Sequence, residues 1–570
     1  MKRLLQKVLS FRWTQPTFHD TYRKKPWLDH YDRDVPFELF IPEISLNDIL
    51  KRSVEMHKHF TAFTFYGNKF TYQEFADLVT NAAAGLQDLG VKKGDRVAII
   101  LPNSPQFVVI YWAILKLGAI AAPMNPLLTP NEMLPCLRLI QPKAVILLQR
   151  FFDTFQPVLE EVAVPHVVMT SIGSFMPTMT RFVYFLKSGF DRKAKKRPHI
   201  HIVSFDRLLA PAPPPELPHV SSSDAAALLF TGGVTGTPKA VLLTHYNLVA
   251  NTLQTRAWLG DVKDGQEILL GALPFFHSYG MTACHHLAIQ SGAMIVLEPR
   301  FKARRILQLL KRHQVTLMLG VPTMFWALLN EMRKSEKAAK SLRICVSGGA
   351  PLPLELKEAF ELWTGGRLIE GYGLTEASPI THCNPRSKNS RRRSIGLPYP
   401  NTEARIVHLK HSKPVAANVV GELQVRGPQI MKEYFKNPEE TKAILTRDGW
   451  LSTGDIAKMD ADGYFYILDR KKDLILYGGF NVYPTEVESV INQHPAVQES
   501  AVVGIPDNYY GETVKAFVVK KQDTELDPQG LQSFCRGKLA KYKIPQDVEF
   551  VAQLPKNFIG KILRRQLIKG

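Results

Sequence analysis

The chain predicts an α/β fold, and three features carry that prediction. Continuous apolar runs of strand length alternate with amphipathic helical stretches, the pattern of a parallel sheet covered by helices. Glycine and proline punctuate the joins. Beyond Lys472 the pattern changes, and about a hundred residues read as a small α+β domain. The 570 residues are therefore expected as a large N-terminal domain over 1–471 and a small C-terminal one over 472–570.

In chain order, Thr71 and Glu74 form a capping box. Phe75, Leu78, Ala82 and Leu86 share one helical face behind it, and Gly90 ends the helix. The run 96–101, RVAIIL, reads as a buried strand, and Ser104 caps the next helix. The most apolar stretch, 107–124, is interrupted by Lys116 and punctuated by Gly118 and Pro123. It reads as a buried helix followed by a strand, not as a membrane span. Further strands are expected at 144–148 and 315–319.

The segment 171–220 breaks the rhythm. It holds Phe175, Phe182, Tyr184, Phe185 and Phe190, then the basic cluster 191–199 and a proline-rich piece, and reads as an insertion or linker. A second basic run occupies 386–393. In the C-terminal part Thr485 and Glu488 suggest another capping box. Strands are expected at 500–504 and 514–519, a helix opens at Asp527 and Pro528, and a last strand covers 548–554.

A hydrophobic content of 45% and a charged content of 22% describe an ordinary soluble globular protein. The five cysteines are scattered, with no CxxC pair. That argues for a reducing compartment and against a disulfide framework or zinc site. The net charge of +20 implies anionic partners. No zinc-finger, RNA-binding or basic-zipper signature accompanies it, so nucleic acid is not expected. At the N-terminus Lys2, Arg3 and Lys7 lie among Leu4, Leu5, Val8, Leu9 and Phe11. This fits an interfacial amphipathic helix better than a signal peptide.

Five short stretches carry chemistry. TGGVTGTPKA, 231–240, reads as a glycine-rich loop between the apolar runs 225–230 and 241–243. Its backbone N–H groups, threonine hydroxyls and lysine suit a polyphosphate, although it is no Walker A loop. An ordinary surface loop is the plainer alternative. EGYGLTEASP, 370–379, combines glycines with an aromatic that can stack on a base and a carboxylate that can hold Mg2+. SGGAP, 347–351, is another tight turn of small residues. STGD, 452–455, offers a carboxylate to ribose hydroxyls, and LPKNFIGKILRR, 554–565, places Lys561 in a basic loop.

Together and in this order, these stretches resemble the adenylate-forming (AMP-binding) acyl-CoA synthetases, with the nearest likeness to bacterial long-chain fatty-acid–CoA ligases. The resemblance runs from about residue 46 to the C-terminus. Its most specific piece is DGWLSTGDIAKMDADGYFYILDRKKDLILYGGFNVYPTEVE, 448–488. It implies a β-barrel-like subdomain within the large domain and a mobile small domain. It also implies that Thr231, Gly232, Gly233, Thr235, Gly236 and Lys239 bind the outer phosphates of ATP. His277 would flank the acyl pocket and the α-phosphate. Gly348, Gly349 and Ala350 would line the adenine, with Tyr372 stacking on it between Gly371 and Gly373. Thr375 would contact the α-phosphate and Glu376 would bind Mg2+. Asp455 would take the ribose hydroxyls, aided by Arg470. Lys472 would be the hinge, Lys561 the mobile catalytic lysine, and Gly478 and Gly479 would move beside the coenzyme A thiol.

The implied reaction activates a fatty acid as its acyl-adenylate and then transfers the acyl group to coenzyme A. A carboxylate is a poor electrophile, so activation must come first. The implied setting is cytoplasmic, with peripheral contact to the inner, anionic face of the membrane, and a homodimer is one admissible assembly. Three other readings stay open: a fatty-acyl-AMP ligase feeding a carrier protein, a ligase for medium-chain or aryl acids, and a degenerate binder of acyl-adenylate or lipid. Two departures from the family pattern bear on the last. Val234 stands where relatives carry Thr or Ser, and Ala240 replaces a usual glycine, which would strain the backbone if that position needs positive φ.

Overall fold

A computed structural model describes residues 22–188, 200–231, 238–335, 339–387, 389–478, 480–507, 509–556 and 562–568. The N-terminal stretch expected as an amphipathic helix and the basic cluster 191–199 lie outside them. Among the described residues four sheets organise the chain. The first has eight strands, in the order Glu433–Tyr434, Lys239–Thr244, Ala225–Thr231, Ile120–Pro123, Arg96–Ile100, Ala144–Leu148, His166–Thr170 and His201–Ser204. It is parallel from Ala225–Thr231 outward to His201–Ser204 and antiparallel at its other edge. The second has nine strands with a parallel centre. The α/β class expected from the apolar runs therefore holds. Val97, Ala98, Ile99 and Ile100 are all fully buried, as a strand covered on both faces requires.

The helix Pro105–Lys116 is buried from Pro105 to Leu115, and Ser104 caps it by accepting from the Phe107 amide. Its apolar surface is covered by protein: the Trp112 indole donates to His285 Nε2 at 3.0 Å, and Tyr111 meets His286 at 2.9 Å. Among the described residues no helix is long and apolar enough to cross a membrane. The helix Tyr72–Asp88 has the expected Thr71–Glu74 capping box. All five cysteines are buried and unpaired with one another.

The region expected as barrel-like is a four-stranded antiparallel sheet of Glu403–Val407, Gly421–Arg426, Leu451–Met459 and Phe465–Arg470. The C-terminal residues form a five-stranded sheet around its own core of Ile475, Val482, Val487, Val502, Val514 and Leu531.

Three local expectations need correction. Thr485 does not cap a helix. The helix Pro484–Ile491 starts earlier, with Tyr483 rather than Thr485 at its N-cap and no side-chain cap. Asp469 Oδ2 accepts the Thr485 amide, and Glu488 is engaged by Arg564, so tertiary partners displace the local box. Within 171–220, the strand His201–Ser204 pairs with His166–Thr170 and extends the eight-stranded sheet, while Phe205 and Leu208 are buried. That part is integral, because its apolar residues complete a sheet edge. Finally, Lys239 and Ala240 lie in a strand, not in the preceding loop.

Candidate active site

The strands Ala225–Thr231 and Lys239–Thr244 form a hairpin in which Thr231 pairs with Lys239 and Phe230 with Ala240. The connection between them, with Gly232, Gly233, Val234, Thr235 and Gly236, lies outside the described residues. Ala240 is 1% exposed and shares a buried apolar cluster with Leu228 and Leu242. Its backbone is extended, so the strain foreseen for a residue at positive φ does not arise. The strand Glu433–Tyr434 pairs onto this hairpin at Val241 and Leu242. Lys239 Nζ consequently lies 5.2 Å over the Tyr434 ring and 2.6 Å from Glu440 Oε2.

Tyr434 links this edge to the acidic stretch. Its hydroxyl donates to Glu376 Oε1 at 2.7 Å, and the Met431 amide donates to the Glu376 carbonyl at 2.8 Å. Burial, reinforced by the neighbouring carboxylate, holds the Tyr434 phenol well above its ordinary pKa, so it stays a donor. Thr375 and Glu376 lie in a short 3₁₀ turn just after the strand Arg367–Gly373. Ser278 Oγ approaches Thr375 Oγ1 at 3.5 Å, which brings the His277 segment alongside. Burial pushes the His277 imidazole down to about 4, so near neutral pH it is uncharged. It can form part of a wall or hydrogen-bond as a neutral ring, but it cannot supply a cation.

The strands Ile344–Ser347 and Arg367–Gly373 run parallel, with Ser347 opposite Glu370. This register places the turn of Gly348, Gly349 and Ala350 beside Gly371, Tyr372 and Gly373. Gly349 has φ +79°, in the left-handed region. A Cβ on Gly373 would sit 2.0 Å from the Pro379 carbonyl oxygen, so no other residue fits there.

Tyr372 points at Asp455. Its hydroxyl donates to Asp455 Oδ2 at 2.5 Å, and Arg470 Nε lies 2.8 Å from Oδ1. Asp455 and Arg470 face each other across adjacent antiparallel strands, and Asp455 is 2% exposed. Burial lowers the Arg470 pKa, but the surrounding anions, Asp455 first and Asp473 and Glu376 among them, outweigh it and hold the guanidinium charged. The Tyr372 phenol is pushed well up by burial and by Asp455. A buried carboxylate with two donors, beside a cation and an aromatic ring, is equipped to exchange one donor for a ligand hydroxyl.

Lys472 lies in the turn Lys471–Asp473. Gly478 has φ +53° and its amide donates to the Tyr510 carbonyl at 2.8 Å. Gly479 and Lys561 lie outside the described residues. Three positions after Lys561, Arg564 grips both oxygens of Glu488 at 2.8 and 2.9 Å and reaches Asp473 at 3.3 Å. Thus the chain just after Lys561 is tied to the turn Lys471–Asp473.

Among the described residues no three His, Cys, Asp or Glu side chains gather to hold a metal ion. A single carboxylate such as Glu376 fits Mg2+ that takes its other ligands from nucleotide phosphates and water. Sequence reasoning missed Tyr434, Glu440 and Arg564. The first two are placed by a strand pairing distant in sequence, and no local pattern announces it.

Comparison with known proteins supplies the context. Residues 50–435 match the family described as AMP-binding enzyme, and residues 486–561 match the AMP-binding enzyme C-terminal domain. The chain is 42% identical to a long-chain-fatty-acid–CoA ligase of Bacillus subtilis, over 96% of this chain and 98% of that one. It is 40% identical to the enzyme of the same name from Salmonella typhimurium, over 95% and 98%. Among solved structures, ATP-bound MatB from Rhodopseudomonas palustris superposes with a TM-score of 0.80 at 29% identity, covering 92% of this chain and 99% of the other.

Proposed function

Because the chain belongs to the AMP-binding enzyme family, we propose that it is a long-chain fatty-acid–CoA ligase acting through an acyl-adenylate. The observation that carries the proposal is the convergence of Lys239, Tyr434 and Glu376 on one side with Tyr372, Asp455 and Arg470 on the other. The first group suits the phosphate end of a nucleotide and the second its sugar and base. The substrate class follows from the relatives, which carry this activity in their names over nearly their whole length.

In this reading the nucleotide's ribose hydroxyls take the place of the Tyr372 hydroxyl at Asp455, and the Tyr372 ring stacks on the adenine. Lys239 and the backbone amides around 232–237 bind the outer phosphates. Bound at Glu376, Mg2+ supplies positive charge to the phosphates. The carboxylate oxygen of the fatty acid attacks the α-phosphorus, the bond to the β-phosphate oxygen breaks, and pyrophosphate leaves. Lys561 opposes the negative charge that builds between the two anions. The thiol of coenzyme A then forms the new carbon–sulfur bond, AMP leaves, and the thiol proton passes to solvent. Neutral His277 borders the acyl carbonyl without adding charge. Rotation of the small domain about Lys472 would exchange Lys561 for the loop of Gly478 and Gly479 between the two steps.

The same proposal places the protein in the cytoplasm, in peripheral contact with anionic lipid from which its substrate comes. The test is pyrophosphate release and thioester formation with a panel of carboxylic acids, with and without coenzyme A. Thioester formation that peaks with long acyl chains supports the ligase reading. Pyrophosphate without thioester points to an acyl-AMP ligase, and a preference for aryl or short acids removes the long-chain assignment.

A further inference from the structure

The helix Thr178–Ser188 does what a helix on a soluble domain avoids. Such helices turn an apolar stripe inward and a polar face out. Here Tyr184 and Phe185 fill the inward role: Tyr184 packs on the main core, and Phe185 borders the cavity beneath the helix. Yet Met179, Phe182, Val183 and Leu186 form a second stripe, at i, i+3, i+4 and i+7, that faces solvent. Their exposures are 75, 57, 42 and 64%. A contiguous exposed stripe of large side chains marks an interaction surface.

What covers it follows from charge and from the ground below. From Lys187, near the end of the helix, to Arg197 the sequence carries six basic residues against one acid. Arg181 adds an exposed cation within the helix itself. Basic residues next in sequence to an aromatic and aliphatic stripe suit the headgroup boundary of an anionic bilayer, where apolar side chains insert and cations meet lipid phosphates. Beneath the helix lies a cavity of about 800 Å³ lined by Met169, Phe182, Phe185, Ile202 and Phe205, with Arg181 and Asp206 as its charged residues.

We infer that the helix Thr178–Ser188 is an interfacial element that seats its outer stripe in an anionic lipid surface. This deepens the membrane contact proposed above and rests on it, not on the chemistry of adenylation. The experiment is cosedimentation of the full chain with vesicles of phosphatidylglycerol and phosphatidylcholine in equal parts, against pure phosphatidylcholine. The protein should bind the mixed vesicles, lose binding as salt rises, and bind at least tenfold more weakly as the double variant F182E/L186E. In V183W, the added indole emission should shift to the blue when mixed vesicles are added, relative to the native protein. Octanoate activation without vesicles reports whether the variants fold. If the native protein ignores anionic vesicles, both the membrane contact and the helix assignment fall. If it binds and F182E/L186E binds equally well, the helix assignment alone falls. If the variant changes only the oligomeric state, a second copy covers the stripe and the lipid proposal is overturned.

Discussion

The Tyr434 hydroxyl donates a 2.7 Å hydrogen bond to Glu376 Oε1, and the same ring lies 5.2 Å beneath the Lys239 ammonium. One side chain therefore holds the carboxylate assigned to Mg2+ and lies under the lysine assigned to the phosphates, whose ammonium Glu440 engages at 2.6 Å. Removing only the hydroxyl, in Tyr434→Phe, loses a bond to a charged group worth about 1.5–3 kcal/mol. It should lower kcat/KM for ATP by about tenfold or more and raise the Mg2+ concentration needed for half-maximal rate. Steady-state kinetics across a Mg2+ series measure both, and an unchanged Mg2+ requirement would remove the role given to Tyr434.

Ala240 and Val234 separate cleanly. Ala240 is buried in a paired strand. Ala240→Gly should therefore cost about 0.5–1 kcal/mol of stability through strand entropy, with no gain in activity. Val234→Thr restores a hydroxyl to the glycine-rich connection and should lower KM for ATP or raise kcat. Denaturant titration and ATP kinetics on the two variants decide. A faster Ala240→Gly enzyme would contradict the strand assignment.

Arg564 holds Glu488, which is 8% exposed, by both carboxylate oxygens. Truncation in Arg564→Ala leaves that buried carboxyl without its cation, with only the Val502 amide still donating to it, so a loss of roughly 3 kcal/mol from the C-terminal domain is expected. Adenylation should slow as well, because the segment carrying Lys561 loses its anchor. Hydrogen exchange in 472–568 together with pyrophosphate release tests the pair of effects. Normal exchange with slowed chemistry would mean that Arg564 acts by another route.

Stability should depend on acid in a definite direction. Burial pushes His245 and His277 down to about 4 and His285 and His382 down to about 3. Between these values and the ordinary histidine value of about 6.5, the unfolded chain binds more protons than the folded one. Stability is then full above that range and falls as pH drops from 6.5 towards 4. Glu370, pushed up to about 8 by burial, works the other way, losing its contribution as pH rises towards 8. Burial also raises Glu298, Asp469 and Glu488, but the four histidines, joined by the still more strongly lowered His286, set the direction below pH 6.5, so urea midpoints should decline there. A midpoint that rises on acidification would contradict the buried neutral histidines.

How far the sequence carried the account differs from place to place. The helix Tyr72–Asp88 and the strand Arg96–Ile100 were legible because capping and burial act locally there. The turn of Gly348 and the stretch Gly371–Gly373 could be found by composition, but not their juxtaposition, which depends on the Ser347–Glu370 register. Thr485 misled because the Asp469 carboxylate, reached only in three dimensions, takes its amide. Tyr434 and Glu440 were invisible for the same reason. Tyr434 pairs with Val241, and Glu440, in the helix Pro438–Ile444 that follows, reaches Lys239, both partners lying far earlier in the chain. Integral sheet structure at His201–Ser204 was hidden behind the prolines and charges that surround it.

A single site joins a long-chain carboxylate to coenzyme A through AMP. The most direct measurement is a time course with palmitate, ATP, Mg2+ and coenzyme A that follows pyrophosphate, AMP and palmitoyl-CoA together. The three should appear in equal amounts, and palmitoyl-AMP should accumulate on the enzyme when coenzyme A is withheld. Pyrophosphate release with no palmitoyl-CoA, or no release with any acid, would contradict the account.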